Sequence, residues 1–257
     1  MLRLVPLGLL TLVSALTCWL YRASPSRLEP SRAWESPSWG SPFGCGEAGV
    51  DLFALVAHAE VRALALAVVV ALFGLVVGTP LGAGAALLRG YSERAVGRAC
   101  DLIQAFPTFL LALAVLSAVR VPTRTHLGVV FALTAWAPFA RLALSQARVL
   151  REAAFVEASS ALGAGHFAIL LRHIVPNLFG VVGVQLGASG AAVVVSEASL
   201  AFVGLGPRDG VSLGGVMDQG VAAMLRAPHV LVVGAAAVFL TSGALLAAGR
   251  ALGARGA

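Results

Sequence analysis

Lysine is missing altogether: the 18 basic residues are all arginine, and they face only 12 acids. Charged residues make up 12% of the 257-residue chain, about half the ~25% of a typical soluble domain. That scarcity, beside 59% hydrophobic residues, argues against an ordinary soluble enzyme. The three cysteines, Cys18, Cys45 and Cys100, lie in separate stretches. They provide neither the even set of a disulfide framework nor the spacing of a metal site. Without lysine there is also no Gly-Lys-Ser/Thr phosphate loop, so the chain cannot cradle ATP in that manner. The arginines are scattered rather than massed, which excludes a nucleic-acid surface and reads instead as membrane orientation.

What the chain has in abundance is long uncharged runs. Leu4 to Tyr21, Ala63 to Leu88, Leu102 to Val119, a run after Arg124 that passes Arg141 to Ala147, His173 to Ser196, and Ala227 to Gly249 are each long enough to cross a bilayer. The predicted fold is therefore all-α, a polytopic membrane protein of about six transmembrane helices. Residues 1–22 form the first helix, 23–60 an extracytoplasmic loop rich in proline and serine, 61–250 a five-helix core, and 251–257 a cytoplasmic tail. The first run has Arg3 ahead of it like a signal peptide. Trp19, Leu20 and Tyr21 stand where a cleavage site needs small residues, which favours a retained helix. With both termini inside, ten arginines fall inside and eight outside, four of the latter in or beside the long loop after the first run. Short loops carry most of the orienting information.

Between Arg148 and Asn177 about thirty residues of mixed polarity interrupt the apolar pattern at an inner turn. Strong helix formers run from Arg148 to Leu162, Gly163 and Gly165 break them, a second short helix covers His166 to His173, and Pro176 suits the first turn of the next span. Such a helix, glycine turn, helix elbow over 148–176 points to contact with another protein; an amphipathic pair on the inner leaflet is the other reading. Gly74, Gly78 and Gly82, and Gly183 and Gly187, recur at intervals of four, either for close helix packing or as background in a chain with 29 glycines. Glu197 is an acid at membrane depth, serving the pathway or a gate, or a structural role that reaches water or caps a neighbour. Arg141 snorkels to the inner interface, Asp101 starts a helix and Phe106-Pro107 kinks one. His166 and His173 share a helical face without a third ligand, so no metal site is expected.

At the elbow the chain resembles a known family. Glu157-Ala158-Ser159, three residues, Gly163, nine residues, then His173-Ile174-Val175-Pro176 is similar to the EAA loop of binding-protein-dependent ABC importer permeases. Ser159 replaces Ala, His173 replaces Ile and Val175 replaces Leu in that pattern. The frame beginning at Glu152 lacks the glycine. Pro42-Phe43-Gly44 with Gly49-Val50-Asp51-Leu52, Asp101 to Pro107, and Ser196 to Gly206 resemble stretches of the dipeptide, oligopeptide and nickel branch; Val211-Ser212-Leu213-Gly214 departs from it. The resemblance implies a permease subunit coupled to two cytoplasmic ATPases through Glu157, Ala158, Ser159, Gly163, His173 and Pro176. It also implies a second permease subunit, an extracytoplasmic substrate-binding protein, no cofactor and no catalytic site of its own. Two other classes compete. An ion-coupled secondary transporter needs several deep ionisable groups. An intramembrane hydrolase built on Ser189, Ser196 or Ser199 needs a base facing them.

Overall fold

The computed structural model describes Gly8 and residues 28–254. The helix expected over 1–22 and the tail end beyond 254 lie outside the described residues. Helix α1 (Leu52–Leu88) is followed by α2 (Gly90–Ala105), α3 (Thr108–Ala118) and α4 (Arg124–Leu150). Then come α5 (Ala154–Ala161), α6 (His166–Phe202), α7 (Leu213–Ala222) and α8 (Pro228–Gly253). Four of these, α1, α4, α6 and α8, are long and apolar enough to cross a membrane, and α2 with α3 makes a fifth candidate bent by 66°. At 37 residues, α1 and α6 are each ~55 Å long and overrun a ~30 Å hydrocarbon core at one end or both.

Helix α1 starts at Leu52, inside the segment expected to be loop. The Asp51 carboxylate accepts from the backbone N–H of Phe53 and Ala54, at 2.8 and 3.3 Å, and so caps the helix. Charge alone had marked the boundary at Arg62, because Glu60 reads as a loop residue; it is instead buried, and the Thr241 hydroxyl donates to it at 3.3 Å. The third run is also revised. Asp101 lies inside α2 rather than at a helix start, paired with Arg141 of α4, which also donates to the Gly97 carbonyl at 3.3 Å. Phe106-Pro107 does break the helix, and the 11 residues of α3 measure only ~16 Å, too short to span alone.

Two wide π turns, Gly74–Gly78 in α1 and Leu170–Ile174 in α6, each precede a proline, Pro80 and Pro176. A proline ring crowds the carbonyl four residues back and offers no N–H; a widened turn relieves that crowding and keeps the helix continuous. Pro176 therefore sits within α6 rather than at the start of a separate span.

The small residues recurring at intervals of four are packing devices. A Cβ on Gly78 or Gly82 would meet the Trp136 or Ala140 carbonyl of α4 at 2.3 or 2.0 Å. Across the α6–α8 crossing, one on Gly187 would lie 2.6 Å from the Cα of Gly249. Helices in lipid gain nothing by hiding apolar surface from each other, so backbone approach of this kind supplies the contact. The end opposite the elbow is closed by residues 28–51, by the 203–212 loop and by α7. Arg62 donates to the Asp209 carbonyl at 3.2 Å and Arg124 to that of Val211 at 3.1 Å.

Candidate functional site: the elbow between α4 and α6

The elbow is a structured projection whose local shape follows from three interruptions. Helix α4 ends at Leu150, and a turn over Arg151 to Ala153 separates it from α5, so the single helix expected over 148–162 is two. The turn is held from outside. Arg151 donates to the Ala86 carbonyl at 2.6 Å and pairs with Glu93 at 3.0 Å and with Glu152 at 3.1 Å; Arg89 reaches Glu152 at 3.1 Å, and Arg148 also pairs with Glu93. Glu93 and Arg151 are largely shielded, at 14% and 18% side-chain exposure, so this pair is worth more than the surface ion pairs around it. The guanidinium of Arg151 is held above its ordinary pKa chiefly by its hydrogen bond to Glu93.

Helix α5 then ends in a turn where Gly163 has φ +87°, a conformation that L side chains rarely adopt. The chain re-enters helix at His166 and stays helical to Phe202, so the short second helix expected over 166–173 is the first part of α6.

The elbow residues fall into two groups. Glu157, Ala158 and Gly163 are exposed, and a Cβ on Gly163 would meet nothing within 4 Å. Ser159 and His173 face inward and touch each other: the hydroxyl and Nε2 lie 3.2 Å apart, and the Phe155 ring packs at 6.0 Å from the imidazole. Two of the three positions that depart from the EAA pattern, one on either side of the glycine, are thus in contact. Pro176 is exposed one turn further along α6. Around this surface Leu162 and Phe167 are 90% and 74% exposed, an apolar rim that none of the described residues covers. A cleft of about 350 Å³ runs between α5, α6 and the Arg89 turn, lined by Glu152, Glu157, Ser160 and His166. His166 and His173 gain no third ligand, and no group of three metal-binding side chains occurs among the described residues.

Glu197 is elsewhere, near the far end of α6. It is 1% exposed, and neither carboxylate oxygen has a hydrogen-bond partner among the described residues. Glu60 is a second buried acid that the sequence did not mark.

Known proteins share this architecture. The family model for the binding-protein-dependent transport system inner membrane component matches residues 78–253. The glutathione transport system permease protein GsiD of Pectobacterium atrosepticum is 31% identical over 199 residues, covering 77% of this chain and 66% of that one. GsiD of Escherichia coli O6:K15:H31 is 35% identical over 200 residues at the same coverage, so the chain spans just under two thirds of the length of these relatives. In solved structures, a chain of the MetNI methionine ABC transporter in an inward facing conformation superimposes with a TM-score of 0.60 at 22% identity, over 77% of this chain and 96% of that one; this likeness is one of fold. The ion-coupled alternative finds no support in these relatives. The family match takes in the end of α1, every later helix and the elbow, and the chain belongs to the inner membrane components of binding-protein-dependent transport systems, the permeases of ABC importers.

Proposed function

We propose that this chain is one permease subunit of an ATP-driven importer, contributing half of a solute path across the inner membrane with both termini on the cytoplasmic side. The observation that carries the reading is the elbow: an exposed Glu157, Ala158 and Gly163 held on a braced turn and rimmed by Leu162 and Phe167. Two cytoplasmic ATPases grip this surface, Glu157 meeting a basic group and the small residues allowing close backbone approach. Ser159 and His173 position the surface from beneath, and Pro176, within α6, sets the widened turn on which it rests. Nucleotide-driven closure of the ATPases then biases outward against inward access, a two-state equilibrium. A second permease and a soluble binding protein complete the assembly.

Arginines at the elbow end, Arg89, Arg94, Arg98, Arg148, Arg151, Arg172 and Arg250, support a cytoplasmic location for that end. Residues 28–51 then face outward, where the binding protein delivers a dipeptide, an oligopeptide or a nickel chelate; the relatives named for glutathione favour a short peptide. Glu197, buried near the outer end of α6, gates that end.

The test is co-purification of the ATPases with Gly163→Asp and Glu157→Arg. An added Cβ at 163 meets nothing within 4 Å, but the φ of +87° strains any L side chain there, so Glu157→Arg, at an exposed helical position, is the variant whose effect reads on docking alone. Both variants are expected to insert normally and lose the ATPases. Normal retention of the ATPases by both overturns the reading.

A further inference from the structure

The middles of two spans meet at a groove of about 200 Å³ between α1, α3, α4 and α6, and its polar lining is uncharged: Thr108, Thr134, Gln185, Ser189 and Ser196. Gln185 falls at the middle of α6 and Pro138, which also lines the groove, at the middle of α4. A primary amide at that depth is costly unless something polar meets it. Gln185, Ser189 and Ser196 follow one another at steps of four and seven along one face of α6. Ser117, Ser145, Ser199 and Ser242 each turn the hydroxyl to a carbonyl of their own helix. Gln185, Ser189 and Ser196 have no partner among the described residues. Pro138 has no N–H for the Thr134 carbonyl four residues before it, which adds a backbone acceptor not served by the usual helical donor. No acid, base or sulfur atom lines the groove, so the serines there have no base to make them nucleophiles.

We propose that this groove is the solute-contacting surface of this chain's half of the path, and that it passes its cargo by neutral hydrogen bonds to amide groups, with no charged or metal-coordinating contact. The proposal rests on the importer reading for its direction and energy source. Gln185 offers an amide donor and an amide acceptor, and the hydroxyls offer both, which matches a peptide backbone. The volume falls below the ~300–1,000 Å³ of complete small-molecule sites, as a half-site closed by a facing subunit requires.

Cysteine labelling in native membranes tests the path. With Cys18, Cys45 and Cys100 replaced by serine, a membrane-impermeant charged methanethiosulfonate is expected to label Gln185→Cys, Ser189→Cys and Ser196→Cys much faster than Val232→Cys and Phe239→Cys, apolar residues exposed on α8. Equal rates overturn the groove as a path. In the complete transporter, the combined Gln185→Leu, Ser189→Ala, Ser196→Ala variant is expected to lower uptake of a labelled tripeptide about tenfold, the weight of one or two lost hydrogen bonds, with Gln185→Asn recovering part of it. Unchanged uptake, or carriage of a histidine–nickel chelate in place of the tripeptide, overturns the amide contact. Labelling needs no nucleotide, so fast labelling of the groove alongside uptake that ignores ATP sinks the importer reading alone.

Discussion

Gly187→Ala isolates the physics of the α6–α8 crossing. A Cβ at this position lies 2.5 Å from the Leu245 carbonyl oxygen and 2.6 Å from the Gly249 Cα. Carbon and carbonyl oxygen approach to ~3.3 Å at closest, so one helix must retreat by about 0.8 Å. Both obstructing atoms are backbone, and no side chain can swing away to absorb the move. Overpacking of this kind costs about 1–3 kcal/mol. Replacing a helical glycine by alanine returns about 0.5–1 kcal/mol of backbone entropy, leaving a net loss of about 0–2.5 kcal/mol. Gly243→Ala in α8 is the matched control: nothing lies within 4 Å of the added carbon, and only the entropic gain remains. The two variants therefore shift stability in opposite directions. Reversible unfolding in mixed micelles, titrated with dodecyl sulfate, measures both midpoints. Equal midpoints for the two variants, or a more stable Gly187→Ala, would refute the claim that backbone contact holds this crossing.

Three further outcomes are expected. Arg151→Ala leaves the shielded Glu93 with Arg148 alone and frees the Ala86 carbonyl, so the variant should lose about 1–3 kcal/mol and show faster amide exchange over residues 151–161. Ser159→Ala removes the contact to His173 and should raise exchange in α5 by the equivalent of about 1 kcal/mol; Ser159→Ala with His173→Ile should restore protection by apolar packing, and if it loosens the elbow further the pairing is not the cause. Gly210→Ala places a Cβ against the Arg62 Nη1 at a backbone φ of +150°, so the guanidinium must swing off the Asp209 carbonyl and the 203–212 loop loosens, which faster trypsin cleavage after the exposed Arg208 should report.

How much of this was legible depended on the range of the interaction. Runs without charge located α1, α4, α6 and α8, because crossing hydrocarbon is a property of each segment alone. Glycine spacing likewise gave the faces of α1 and α6 that pack closely, although only the opposing Ala140 and Gly249 backbones separate design from composition. The exposed Glu157 and Gly163 were visible as a motif. Charge misled wherever a partner sat far along the chain. Glu60 looked like a loop residue because Thr241 is 181 positions away, and Asp101 looked like a helix start because Arg141 is 40 away. The break at 151–153 opposed strong helix formers, and tertiary ion pairs to Glu93 and the Ala86 carbonyl decided it. The Ser159–His173 contact was hidden because each looked like an isolated departure from a pattern. The groove at Gln185 had a weak trace in the order of polar residues on α6, but its other wall comes from Thr108, Thr134 and Pro138.

The unbroken helix from His166 to Phe202 has a mechanical consequence. A hinge or coil between the elbow and the bilayer would let a pushing partner spend its stroke on bending. Here the backbone from just past Gly163 to the neighbourhood of Glu197 is one strut, ~55 Å from tip to tip. A twist applied at the elbow tip is therefore delivered to the Glu197 end by the stiffness of stacked peptide hydrogen bonds, with no relay of side chains between them.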